Sequence, residues 1–139
     1  MISSGSIERP LVFGNNDTPG VVLSSAAKEY LKVYGVLVGK KPLIFTNNDS
    51  AYETAIEFKK NGIDPIVLDT RVNPSSEIID EAKNLNINIK FSYVVIAAKG
   101  YKKVTSAEIA KISEDKKNLV QNKDFGTYEL KKLWFPQVQ

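Results

Sequence analysis

Two short apolar runs that flank one amphipathic stretch constrain the fold of this chain more than any other feature. Residues 42–46 and 65–68 are continuous apolar runs of the length expected for strands buried on both faces of a parallel sheet. The stretch between them repeats its apolar residues at helical spacing, at Ala51, Ala55, Ile56 and Phe58. The pattern predicts a βαβ unit of about thirty residues.

A second crossover of the same kind follows directly. Asn73-Pro74 predicts a helix N-cap followed by proline at the first helical position. The apolar positions of this helix are Ile78, Ile79, Ala82 and Leu85, and a third strand is predicted from the alternation of Ile87, Ile89 and Phe91.

From about residue 92 the pattern changes to that of a β-meander. Residues 93–98 are apolar, Lys99-Gly100 is a turn, residues 104–112 alternate loosely, and residues 114–118 form a second turn. The segment from Thr105 to Glu108 also fits a capping box that would begin a helix, although its short length favours the strand. The predicted class is α/β, a three-layer Rossmann-like βαβαβ parallel sheet with an attached antiparallel β-meander.

The start of the chain has a different character. Residues 7–20 are rich in Pro, Gly, Asn and Asp, which predicts extended chain and turns that pack on another part of the protein. A helix then begins with Ser24 or Ser25 as N-cap and ends at Gly35, with apolar positions at Ala27, Tyr30, Leu31 and Tyr34. We therefore expect an extended crossover segment over residues 1–22 and one α/β domain over residues 23–139.

The composition excludes much of the catalytic repertoire. The 139 residues include no cysteine and no histidine, which removes thiolate nucleophiles, disulfides and the commonest general base and metal ligands. We predict neither a catalytic residue nor a metal site. The net charge of +3 comes from lysines scattered among acids, which is typical of a solvated surface rather than a nucleic-acid site. No run approaches the roughly 20 apolar residues of a membrane span, so we expect a cytoplasmic protein.

One part of the βαβ unit is informative about function. A dinucleotide-binding fingerprint places three small residues between strand and helix, so that backbone amides approach a pyrophosphate. Thr46, Asn48 and Ala51 occupy those positions here, and Asp69 stands where the fingerprint has its ribose-binding acid.

Two interpretations of these residues stay open. In the first, NAD binds at residues from both strand ends, namely Thr46, Asn47, Asn48, Asp49, Ser50, Ala51, Asp69 and Arg71. In the second, which we favour, the site is vestigial, because the side chains at positions 46 and 48 fill the space for phosphate. Asp49 would then cap the helix amides and repel the anion.

Four segments of the chain resemble a known family. They are GSIERPLVFGNND at residues 5–17, PGV at 19–21, FTNNDSAY at 45–52 and DTR at 69–71. Together they closely resemble the α subunit of heterotetrameric sarcosine oxidase, over roughly residues 3–112. In that family the chain would leave a first dinucleotide-binding domain near Ser3-Ser4-Gly5 and enter a second, inserted one. The resemblance therefore implies the NAD-domain type of flavoproteins that contain two such domains.

The resemblance also implies a larger enzyme around this domain. The whole enzyme would oxidatively demethylate sarcosine with FAD, FMN, NAD and tetrahydrofolate, most of them bound outside this chain. The isolated chain would be inactive and hold no cofactor, except that NAD is possible. After about Glu114 the similarity fades, and Leu133 to Gln137 lack the Gly-Gly of the family pattern.

Aromatic residues suggest how the chain associates. Tyr30, Tyr34, Tyr52 and Phe58 lie at helical spacing and are predicted to be core or interface residues, with stacking on a cofactor as the alternative. Trp134-Phe135 is expected to be an exposed pair that a partner would cover. The expected partners are other parts or subunits of a sarcosine oxidase-like complex, or a second copy in a dimer.

Overall fold

The computed structural model describes residues 10–37, 39 and 41–112 in full and the backbone of residues 126–129. Three helices and six strands lie within these residues. The helices are α1 (Ser24–Tyr34), α2 (Ser50–Lys60) and α3 (Glu77–Asn84). The strands are β1 (Leu43–Thr46), β2 (Ile66–Asp69), β3 (Asn88–Phe91), β4 (Tyr93–Lys99), β5 (Ser106–Lys111) and β6 (Gly126–Glu129).

The strands form two sheets of three. β1, β2 and β3 are parallel and neighbours in that order, and their register aligns Thr46 with Asp69 and Asp69 with Phe91. β4, β5 and β6 form an antiparallel meander. The carboxyl ends of β1 and β2 are therefore level, which brings the turns that follow them to one edge.

The parallel sheet is covered on both faces, as its apolar strands require. On one face Ile44 and Val67 pack with buried residues of all three helices, including Leu31, Phe58 and Ile79. On the other face Leu68 packs with buried residues of the meander, Val95, Ala107 and Ile109. The result is three layers of helices, parallel sheet and antiparallel sheet, which confirms the predicted class.

The segment before α1 is extended and held by β4. The Gly14 amide donates to the Ile96 carbonyl at 2.7 Å, and the Ala98 amide donates to the Gly14 carbonyl at 2.8 Å. Turns follow at Asn15 to Thr18 and at Thr18 to Val21. Extended chain with turns was expected here, and residues 1–9 lie outside the described part.

Two predictions about helices are wrong in detail. α3 begins at Glu77 rather than at Pro74, because its first apolar position is Ile78 and Ser76 keeps an extended backbone with φ −161° and ψ 157°. In α1, Ala27 and Leu31 are buried as expected, whereas Tyr30 and Tyr34 are 46% and 66% exposed.

The competing helix at Thr105 to Glu108 is also wrong. Residues 106–111 pair with β4, and residues 106–109 also pair with β6, so Ala107 and Ile109 turn toward the core at strand periodicity. The predicted turn at 114–118 and the pair Trp134-Phe135 lie outside the described residues. No helix in the described part has both the length and the apolar character of a membrane span.

Candidate nucleotide-binding edge

The eight predicted site residues lie together at the carboxyl edge of the parallel sheet. β1 ends at Thr46 and β2 ends at Asp69, and these two residues are partners in the register. The turn of Asn47 to Asp49 joins β1 to α2, whose first residues are Ser50 and Ala51. Arg71 follows β2 directly. The topology thus assembles the residues that the fingerprint positions single out.

Asp69 is fully buried and its carboxylate is fully engaged. Oδ2 accepts hydrogen bonds from the Tyr52 hydroxyl at 2.7 Å and from Arg71 Nη2 at 2.7 Å. Oδ1 accepts from the Arg71 backbone amide at 2.9 Å and from Arg71 Nε at 3.0 Å. A carboxylate has about four acceptor sites, so Asp69 has little capacity left for a ribose hydroxyl.

Arg71 joins the buried carboxylate to a second one. Its guanidinium lies 2.7 Å from Asp69 Oδ2 and 2.7 Å from Asp49 Oδ1, and its side chain is 31% exposed. The contact with Asp49 is an ion pair without hydrogen-bond alignment. The hydrogen bond to Asp69, helped by the contact with Asp49, raises the pKa of Arg71, so the guanidinium stays charged.

The turn between β1 and α2 is capped by Asn48 rather than Asp49. Asn48 Oδ1 accepts from the Ser50 amide at 3.1 Å and from the Ser50 hydroxyl at 2.7 Å. Asp49 occupies the N-cap position, but its side chain makes no capping hydrogen bond. The expectation that the Asp49 carboxylate caps the helix is wrong, because Arg71 holds it instead.

Thr46 closes the same turn from the strand side. Its hydroxyl donates to the Asn48 carbonyl at 3.0 Å and accepts from the Asn48 amide at 3.1 Å. Ala51 is 4% exposed and belongs to the helix-side core. Its small side chain suits the close packing of α2 on the sheet, as expected for the last fingerprint position.

Tyr52 is a member of this cluster that the sequence did not assign to it. It is fully buried on α2 and donates to Asp69. Burial, together with the hydrogen bond to Asp69, raises the pKa of Tyr52 well above its usual value of 10.0, so the hydroxyl remains a donor. The helical spacing predicted a buried Tyr52, but nothing local signalled its polar partner seventeen residues away.

The cluster has a definite charge and little free capacity. Two carboxylates and one guanidinium, those of Asp49, Asp69 and Arg71, sum to −1. A pyrophosphate at the start of α2 would face this net charge, and the Asn48 side chain already bonds the Ser50 amide there. The residues present therefore do not fit a bound pyrophosphate. No group of three or more His, Cys, Asp or Glu that could hold a metal occurs in the described part of the chain.

Solved structures with a similar fold include thioredoxin reductase of T. acidophilum, with a TM-score of 0.65 and 15% identity over 91% of this chain and 39% of that one. A second is the bacillithiol disulfide reductase of Staphylococcus aureus, with a TM-score of 0.59 and 16% identity over 88% of this chain and 34% of that one. At such identities the likeness concerns the fold alone.

Curated proteins are similar at the level of sequence, although no family model matches the chain. Sarcosine oxidase subunit alpha of Rhizobium meliloti (strain 1021) is 36% identical over 110 residues, which are 78% of this chain and 11% of that protein. The subunit of the same name from Corynebacterium sp. (strain P-1) is 31% identical over 118 residues, or 84% of this chain and 12% of that protein. The chain thus spans about an eighth or less of these relatives, and over that span it belongs to the family of sarcosine oxidase alpha subunits.

Proposed function

We propose that this chain is the inserted pyridine-nucleotide-type domain of a sarcosine oxidase-like oxidoreductase, with a structural and interaction role, and that it is inactive alone. In the whole enzyme the substrate would be sarcosine, and FAD, FMN and tetrahydrofolate would bind outside this chain. Its partners would be other parts or subunits of that enzyme. The family relationship supports the enzyme class.

One observation carries the structural role. At the edge where a nucleotide would lie, the fully buried Asp69 already bonds Tyr52 and Arg71, and Arg71 also pairs with Asp49. A buried, satisfied polar network stabilises one arrangement of the chain, whereas a binding site needs groups that a ligand can reach. The edge therefore has the properties of a closed structural joint between β1, α2 and β2.

The rival function is NAD binding at the same edge. It is favoured by the fold and by the position of Asp69, at the end of the second parallel strand. For NAD to bind there, Arg71 would have to leave Asp69 or Asp49, and the phosphates would have to approach the Asp49 carboxylate. The two functions therefore differ in what removal of that carboxylate should do.

Calorimetry of NAD binding separates the two. We expect the wild-type chain to bind NAD no more tightly than about millimolar, since a carboxylate opposes the phosphates at the start of α2. Asp49→Asn should bind several-fold more tightly because one negative charge is lost and the volume is kept. The purified wild-type chain should also show no flavin absorbance and no peroxide from sarcosine.

Asp64→Asn is the matched control, because Asp64 also forms an exposed ion pair, with Lys59, but lies far from this edge in the fold. Its affinity for NAD should equal that of wild type. Micromolar binding by wild type, weakened by Asp49→Asn, would establish NAD binding instead. Peroxide formation by a homogeneous, flavin-free sample would show that the chain is catalytic alone.

A further inference from the structure

Helix α1 has more apolar surface than its neighbours cover. Ala27 and Leu31 are buried, whereas Tyr30, Val33 and Tyr34 are 46%, 65% and 66% exposed. At about 100° per residue, these three continue the apolar arc on one side of Ala27. Lys28 and Lys32 lie on the other side of the helix.

Ion pairs show which side of α1 faces α2. Lys28 pairs with Glu53 of α2, and Lys32 pairs with Glu57 of α2 at 3.2 Å. The three exposed apolar residues therefore lie on the side of α1 that points away from α2. Because α1 packs against α2 and α2 against α3, α1 is the helix at the β1 end of the sheet.

β1 presents an open edge at that same end. The carbonyls of Pro42 and Thr46 accept from β2 and the residue after it, namely from the amides of Ile66 and Thr70. Backbone groups alternate in direction along a strand, so Leu43 and Phe45 direct their amides and carbonyls away from β2. Among the strands described here, β1 pairs with β2 alone. An open edge of an apolar strand is a template for another strand.

These features form one surface, the α1–β1 side, which consists of Tyr30, Val33, Tyr34, Leu37 and the outward backbone of Leu43 and Phe45. Leu37 is 43% exposed, and the rings of Tyr30 and Tyr34 lie 6.2 Å apart. We propose that the α1–β1 side is the interface through which a second copy of this chain binds.

The chemistry of the surface matches its own copy. The outward groups of Leu43 and Phe45 are two donors and two acceptors, and about a two-fold axis β1 can pair with β1 of the second copy in antiparallel fashion. The same axis would bring the exposed residues of α1 against their counterparts, and tyrosines are enriched in such interfaces. Exposed Glu29 and Lys41 flank the surface with opposite charges, so two copies need not meet with like charge.

Analytical ultracentrifugation of the full chain over a concentration series tests this interface. We expect a monomer–dimer equilibrium for wild type. The double variant Tyr30→Lys, Tyr34→Lys should weaken dimerisation by roughly tenfold or more, because both exposed aromatic anchors are replaced by like charges. Tyr101→Lys is the control. Tyr101 is 96% exposed on the turn between β4 and β5, so this variant should dimerise like wild type.

Amide hydrogen exchange at Leu43 and Phe45 provides a second readout that does not require a variant. Their protection should fall as the protein is diluted. A wild-type chain that is monomeric at every concentration would overturn the proposal, and so would a dimer that is indifferent to the tyrosine variants. Concentration-independent protection in a monomer would show that the chain itself covers the edge. None of these outcomes depends on whether NAD binds.

Discussion

The buried contact between Tyr52 and Asp69 joins α2 to the end of β2 through two polar side chains. The Asp69 carboxylate is neutralised mainly by Arg71, and the Tyr52 hydroxyl supplies a further donor at 2.7 Å. Hydrogen bonds to charged groups contribute more than neutral ones, about 1.5–3 kcal/mol. Tyr52 should therefore stabilise the domain by its hydroxyl as well as by its ring.

Tyr52→Phe should lower the free energy of unfolding by about 1–3 kcal/mol near neutral pH. Because the folded state raises the pKa of Tyr52 above 10.0, its contribution is complete below that pH. At higher pH the unfolded chain releases a proton that the folded chain keeps, so wild-type stability falls by up to about 1.4 kcal/mol per pH unit. The difference between wild type and Tyr52→Phe should shrink from pH 10 upward.

Urea unfolding at a series of pH values measures this difference. The control is Tyr101→Phe, since Tyr101 is 96% exposed and has no buried hydroxyl to lose. A gap between wild type and Tyr52→Phe that stays constant above pH 10 would contradict the raised pKa of Tyr52.

At the residue scale the sequence predicted positions better than partners. The fingerprint spacing placed Asp69 and Asp49 at one edge, because the βαβ unit fixes where strand ends and helix starts lie. It assigned the capping role to Asp49, whereas Asn48 caps the helix. That choice depends on Arg71, which approaches from the next strand, and local sequence does not encode such a contact.

The turn from β4 to β5 is the element most sensitive to a single atom. Gly100 has φ +152°, and an added Cβ would lie 1.9 Å from the Lys103 carbonyl oxygen. Gly62, at the end of α2, has φ +77° and nothing within 4 Å of such an atom. Both glycines have positive φ, so only the steric clash separates them.

Gly100→Ala should therefore destabilise the domain more than Gly62→Ala. The left-handed conformation at Gly62 costs an alanine about 1–2 kcal/mol. At Gly100 the backbone of the turn must also move, which should add roughly 1–3 kcal/mol, as overpacking does. Thermal or urea unfolding of both variants measures the difference. Equal losses would mean that the β4–β5 turn rearranges freely.

Elements were predicted well where the apolar period is long and poorly where it begins. The two crossover helices and the parallel strands follow from their buried faces. The start of α3 did not, because Asn73-Pro74 has good capping chemistry but precedes the first residue that packs on the sheet. Likewise, the strand at residues 106–111 is decided by pairing with β4 rather than by its own sequence.

At the scale of the whole molecule, β2 belongs to two cores. Val67 faces the helices and Leu68 faces the meander, and both are fully buried. The continuous apolar run at residues 65–68 predicted this burial on both faces. The order of the strands and the identity of each covering layer were not predicted by periodicity, since they arise from contacts distant in sequence.

This shared strand predicts that the layers unfold together. Val67→Ala removes contacts on the helix side only, and Ile109→Ala removes contacts on the meander side only. Each should cost about 2–5 kcal/mol, because both side chains are almost fully buried and their loss leaves a cavity. In a single cooperative unit, Val67→Ala must weaken the β4–β5 ladder as much as it weakens the β1–β2 ladder.

Amide hydrogen exchange, followed residue by residue, measures both ladders in one sample. We expect Val67→Ala to lower protection at Val95 and Ile109 by the same factor as at Leu68, roughly tenfold for each 1.4 kcal/mol lost. Ile109→Ala should lower protection in β2 by its own matching factor. The control is Val72→Ala, which shortens a side chain that is 52% exposed and should leave both ladders unchanged. If each variant affected only its own layer, the meander and the parallel sheet would be separate folding units, and burial of Leu68 between them would contribute little to cooperativity.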